Sequence, residues 1–305
     1  MLNSGLDAKR KQNHDMFPEL IDTRPLRRAI DDGLNWVVRN WGGELEAAAY
    51  PLLMLLNSIE RLLVATPWWL MMAIVVGVAW LATRNWRLPS LVLVSLLFLG
   101  IMGLWRDAMA TTALMIAATL TVIVASIPIG VWMSRSLRVR QIVTPVLDLM
   151  QTLPSFVYLI PTVMIFGPGK IPALLATIVY AAPPLVRLTD LGLRSVDPAV
   201  MEASRSFGTT PSQRLLGVQI PLALPTILAG VNQTTMMALA MVVIASMIGA
   251  GGLGYQVLQG IGRLEVSRGL FAGLGIVVLA IIFDRITQSF GKQLQGRIGL
   301  TEART

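Results

Sequence analysis

Seven apolar stretches constrain this chain more than any other feature. They fall at about 67–83, 88–105, 110–133, 145–166, 171–188, 223–248 and 270–288. Each is near the roughly 20 residues that a helix needs to cross about 30 Å of hydrocarbon. Only 14% of the 305 residues are charged and 54% are apolar. A soluble domain carries about 25% charge. The mean hydropathy of +0.67 agrees with lipid as the outer solvent. The expected fold class is all-α: a polytopic membrane protein of about seven transmembrane helices.

The remaining residues exclude several kinds of chemistry. There is no cysteine, so disulfides, thiolate metal sites and cysteine nucleophiles are ruled out. The single histidine, His14, lies in a polar leader and offers little to a triad or a metal site. No metal site is expected. The net charge of +8 is spread over short loops, which points to membrane topology and not to nucleic acid. No apolar core with a small-residue cleavage site closely follows the polar start, so no signal peptide is expected.

Lys and Arg set the orientation. Thirteen lie in loops on one side: Arg84, Arg87, Arg135, Arg138, Arg140, Arg187, Arg194, Arg205, Arg214, Arg285, Lys292, Arg297 and Arg304. Four lie opposite: Arg106, Lys170, Arg263 and Arg268. The positive-inside rule places the thirteen, and the C-terminus, in the cytoplasm. The first 66 residues carry eight Lys/Arg against nine Asp/Glu, so charge does not hold them inside. Residues 24–40 place Leu26, Ile30, Leu34, Val37 and Val38 at helical spacing, and 47–63 are more apolar but contain Asn57, Glu60 and Arg61. Both are expected to be amphipathic helices at the interface, with an eighth span as the alternative for 47–63. The expected organisation is an extracytoplasmic leader over 1–66, a transmembrane domain over 67–290 and a cytoplasmic tail over 291–305.

One connection, 189–222, is much longer than the others. Asp197-Pro198 is a helix start, with an acceptor at the cap and proline at the first helical position. Gly208 can end that helix in the left-handed conformation. Thr210-Pro211-Ser212-Gln213 has the capping-box spacing. Two short helices around a glycine turn are predicted, with Pro221 and Pro225 leading back to the membrane. Glu202 is expected to favour the positive end of the first helix or to meet a basic group on a partner.

Glu202-Ala203-Ser204, Gly208 and Val218-Gln219-Ile220-Pro221 fit the pattern E-A-A, three residues, G, nine residues, I-x-L-P. The chain thereby resembles the permease subunits of binding-protein-dependent ABC importers. Ser204 replaces an alanine, and Val218 and Ile220 are aliphatic replacements. MQTLPSFVYLIP (150–161), EASRSFG (202–208), PLALPTILAGVNQT (221–234) and VVIASMIGAGGLG (242–254) resemble, in particular, permeases for glycine betaine and proline betaine, with choline permeases as near relatives. The likeness covers about residues 45–290.

The resemblance implies a type I importer permease fold in a bacterial inner membrane. It implies that Glu202, Ala203, Ser204, Gly208, Val218, Ile220 and Pro221 form a loop that docks in a groove on a separate ATPase. It also implies a second copy of the chain, two ATPase copies and an extracytoplasmic substrate-binding protein. ATP and Mg would then belong to the ATPase, and this chain would bind no cofactor. It lacks a phosphate loop: Phe166-Gly167-Pro168-Gly169-Lys170 holds a Gly-Lys pair without the rest.

Prolines 154, 161, 183 and 184 interrupt the fourth and fifth stretches. Interrupted helices are tolerated in a membrane where protein or a water-filled cavity satisfies the backbone. A translocation path beside them is expected, with Gln151, Thr152, Asn232 and Gln233 as polar groups. Phe156, Tyr158 and Tyr180 are candidate aromatic surfaces for a quaternary ammonium. Gly249–Gly254 matches GxGxxG but follows a span and not a strand, so it is read as a turn into a short external helix. An ion-coupled transporter would place carboxylates within the spans. Here Asp148 and Asp284 sit near span ends. An intramembrane enzyme would need a nucleophile facing a base, and neither is present.

Overall fold

The computed structural model describes residues 23–297. His14, the first third of the leader and the end of the tail lie outside the described residues. Among the described residues there are helices and turns but no strand. The chain divides into two compact units, residues to Gly43 and residues from Glu44 on. The described part of the first is the opening half of α1 (Arg24–Ala65), whose Leu26, Ile30, Trp36 and Trp41 are all exposed.

The two amphipathic helices expected over 24–40 and 47–63 are in fact one helix, α1. Gly42 and Gly43 suggest a break, but each costs a helix only about 1 kcal/mol relative to alanine. The strong helix formers Glu44 to Ala49 follow at once.

The helices after it are α2 (Trp68–Thr83), α3 (Arg87–Ile101) and α4 (Trp105–Arg135). The second apolar stretch ends at Ile101, earlier than its composition suggests. The Gly103 amide donates to the Gly100 carbonyl and the Leu104 amide to the Leu99 carbonyl, with Gly103 at φ +70°. These are the two bonds of a Schellman cap. The helices α2 and α3 are only about 24 and 22 Å long.

The fourth expected span, 145–166, is not a single helix. It is α5 (Leu137–Thr152), a 3-10 turn (Ser155–Tyr158) and α6 (Leu159–Phe166), bent by 111°. Pro154 is the reason. It lacks an amide hydrogen, so the Met150 carbonyl one turn earlier loses its helical partner. The Tyr158 hydroxyl donates to that carbonyl instead.

Next come α7 (Lys170–Arg194), α8 (Pro198–Ser206), α9 (Pro211–Arg214), α10 (Ile220–Ala245), α11 (Gly252–Gly262) and α12 (Val266–Arg297). Among the described residues five helical segments are long and apolar enough to cross a membrane, or six with the bent pair counted as one span. Five of the seven expected spans are among these six segments, together with α1; the other two, α2 and α3, are apolar but shorter.

The core is built on α7. It packs on α4 and α10, and small residues bring the backbones close. A Cβ on Gly130 of α4 would meet Thr189 Cβ at 2.5 Å, and one on Gly192 would meet Thr226 Cβ at 3.0 Å. Thr234 of α10 donates to the Ala181 carbonyl of α7 at 2.9 Å. Of the GxxxG pair on α12, only Gly269 makes a close approach, to Gly260; nothing lies within 4 Å of a Cβ on Gly273.

Candidate functional site

The long connection folds as a capped helix and a turn. The Asp197 carboxylate accepts from the Ala199 amide at 2.8 Å, and Pro198 occupies the first helical position of α8. At the other end Gly208 has φ +72°. Its amide donates to the Arg205 carbonyl, and the Thr209 amide donates to the Ser204 carbonyl. A second Schellman cap therefore turns the chain. Thr210 and Gln213 form the predicted capping box, each closing on the other's backbone.

The second helix is not a separate short piece. After α9 the ladder widens to a π turn over Leu215–Gln219 and continues into α10 without a break. The Ile220 amide donates to the Leu215 carbonyl, five residues back. Pro221 and Pro225 have no amide to donate, and the wider turn takes up that loss just before Pro221.

The motif residues divide by exposure. Glu202 and Ala203 are exposed, as is Gly208; Val218, Ile220 and Pro221 are half-buried; Ser204 is buried. Glu202 sits in the fifth position of α8, past the first turn, so it does not cap the positive helix end as expected. It lies with Pro198, Met201, Arg205 and Ser206 around one open pocket on the outward face of α8. Ser204, the departure from E-A-A, points the other way. Its hydroxyl shares a 2.7 Å bond with Thr209, whose hydroxyl also donates to the Ser204 carbonyl at 2.8 Å. Phe207 is 88% exposed and Leu216 66%, which leaves two large apolar side chains open at the tip.

Sequence reasoning missed how this loop is attached. Arg135, at the end of α4, donates to the Pro211 carbonyl at 3.2 Å. Only a contact across 76 residues reveals it, and no local pattern signals such a bond.

The candidate path residues do not form one cluster. Gln151 and Thr152 are exposed at the end of α5, and Phe156 is 53% exposed just past the bend. Tyr158 is buried, edge-on to Tyr180 with ring centroids 5.9 Å apart. These two pack with Leu159, Ala176 and Met241, so the bend is held by α7 and α10. Asn232 is elsewhere: it donates to Asp284 of α12 at 3.0 Å. Gln233 is exposed.

At the opposite end of α4, α11 closes over the helix start. The Leu253 amide donates to Thr111 at 2.9 Å, Gln256 donates to Asp107 at 2.7 Å, and Arg268 donates to Gln256 at 2.8 Å. The glycine run ahead of α11 is a turn, as expected, with φ +76° at Gly252. A Cβ there would meet Thr111 Oγ1 at 2.5 Å. Lys170, which starts α7, pairs with Glu60 at 2.6 Å.

Residues 126–296 match the family described as binding-protein-dependent transport system inner membrane component. The chain is 46% identical over 273 residues to the glycine betaine/proline betaine transport system permease protein ProW of Escherichia coli K12, covering 90% of this chain and 77% of that one. It is 41% identical over 274 residues to the glycine betaine transport system permease protein OpuAB of Bacillus subtilis 168, covering 90% and 96%. In fold it is similar to the MetNI methionine ABC transporter. The TM-score is 0.58 at 22% identity, covering 63% of this chain and 95% of the solved one.

Proposed function

The chain belongs to the family of binding-protein-dependent transport system inner membrane components and is a permease subunit of an ABC importer; we propose that its cargo is a quaternary ammonium osmolyte of the glycine betaine and proline betaine type. The α8 loop carries the mechanical part of this reading. It is a helix capped at both ends, with an open face around Glu202 and apolar tips at Phe207 and Leu216. Such an element is stiff enough to pass a rigid-body movement to α7 and α10. The substrate reading rests on the named cargo of the relatives. Choline is the alternative cargo within the same family.

In this reading the loop seats on a cytoplasmic ATPase that binds ATP and Mg, and this chain binds neither. Two copies of the chain, two ATPase copies and an outer binding protein complete the machine, with lipid around the spans. ATP binding closes the ATPase pair and turns the spans outward; hydrolysis resets them. Gln151, Thr152 and Phe156 at the bend of the fourth span contact the passing substrate weakly. Affinity resides in the binding protein.

The loop and the C-terminus face the cytoplasm. An outer N-terminus, as the sequence suggests, requires α1 to lie along the interface. Its second half, charged beyond Glu46 only at Glu60 and Arg61, is apolar enough to cross. Crossing would put the N-terminus on the cytoplasmic side.

Vesicles reconstituted with this chain, its ATPase and its binding protein test the proposal. Glycine betaine uptake is expected only with ATP inside. Uptake that persists without the ATPase and collapses with the ion gradient would overturn it. The chain has no cysteine, so one introduced near residue 5 reports the N-terminal side by labelling with an impermeant maleimide. Labelling from outside the cell supports the outer leader, and protection supports a crossing α1.

A further inference from the structure

Asp190 is a buried carboxylate, 5% exposed, one turn before the end of α7. Arg194, on the same helix, approaches one oxygen at 3.0 Å. Arg140, on α5, approaches the other at 3.6 Å. The backbone at this level has no room to shift. Thr189 packs on Gly130 of α4, and Gly192 packs on Thr226 and Ala223 of α10. Four residues beyond Asp190, α7 ends and the loop begins.

Burying a carboxylate costs several kcal/mol in desolvation, and an ion pair often only recovers that cost, so stability is a weak reason to keep one. Its value lies in fixing which groups move together. The Arg194 contact is internal to α7 and links nothing. The Arg140 contact joins α7 to α5, the helix that runs to the bend at Pro154. On the other limb of the loop, Arg135 of α4 holds the Pro211 carbonyl. Both limbs of the loop are thus tied to neighbouring helices by arginine side chains.

We propose that Asp190 is a positioning residue that makes α5 follow the coupling loop. The Asp190–Arg140 pair is the joint that carries loop movement to the bent span, and through it to Gln151 and Thr152. This rests on the importer reading above. The arginine side chains are 36–40% exposed, so Arg140 can be substituted without opening the packed core.

The test is the number of substrate molecules transported per ATP hydrolysed, in vesicles holding the full importer. Asp190→Asn and Arg140→Gln are expected to assemble with the ATPase and to hydrolyse ATP, while transport per ATP falls about tenfold. Arg194→Gln removes the contact within α7 and should keep the wild-type ratio. The double variant Asp190→Asn with Arg140→Gln should be no worse than either single one, since both remove one interaction. An unchanged ratio in Asp190→Asn and Arg140→Gln would overturn the joint. So would loss of the ATPase from complexes of both variants, which would make the pair a folding element. Arg140→Gln decides if only Asp190→Asn fails to assemble, because it leaves Asp190 paired with Arg194. Failure of the importer reading looks different: the wild type itself would show uptake without ATP hydrolysis.

Discussion

The two ends of α4 are held in opposite ways. At its C-terminal end the α8 loop is stiff within itself but lightly attached. Its caps and turns are local, one arginine ties each limb, and Phe207 and Leu216 project exposed. At the N-terminal end α11 is tightly joined to its neighbours. Backbone meets backbone at Gly260 and Gly269, and a side-chain chain runs from Asp107 through Gln256 to Arg268. The proposed docking role asks for internal rigidity and an open face. The α11 end is instead fixed by close contact with its neighbours. Side chains and caps provide the first, and missing side chains provide the second.

The α11 end should be the more fragile. A Cβ on Gly260 would lie 2.5 Å from the Gly269 nitrogen and 2.6 Å from its Cα. Both are backbone atoms and cannot rotate away. Gly260→Leu is expected to cost about 3 kcal/mol, the upper end of the usual range for overpacking. Thermal unfolding of the purified permease in detergent reads this directly. A melting temperature within a degree or two of wild type would remove the claim that this end is fixed by close packing.

The same contrast explains what was legible in the sequence. Asp197, Pro198, Gly208, Thr210 and Gln213 announce the α8 loop because capping acts over three or four residues. The attachment of that loop was not legible. Arg135 and Pro211 are 76 residues apart, and nothing local couples them. Asp190 and Arg194 have helix-pair spacing, yet only packing buries the carboxylate and brings Arg140 to it. Hydropathy located the apolar stretches but treated each as straight. Pro154 marked a break in the fourth, but neither its 111° bend nor the Schellman cap at Gly103 that shortens the second could be read from hydropathy. The GxGxxG run shows the reverse case. The motif names a cofactor loop, whereas here the glycines turn the chain and let α11 approach Thr111.

The loop end should be fragile in a different sense, losing coupling before it loses folding. Gly208 has φ +72°, and nothing lies within 4 Å of a Cβ built there. Space is therefore not the obstacle, and the cost of a side chain is the left-handed backbone, about 1–2 kcal/mol for an ordinary residue. Asparagine visits this conformation more readily, and a β-branched side chain is its poorest occupant. Gly208→Asn should transport nearly as the wild type does, Gly208→Ala less, and Gly208→Val least, by up to about tenfold for a strain near 1.4 kcal/mol. All three should reach the membrane and melt within a few degrees of one another, because the strain falls in an exposed turn. Uptake rates ranked by side-chain volume and not by left-handed tolerance would show that the turn must stay bare for the partner, moving the constraint from the backbone to the docking surface.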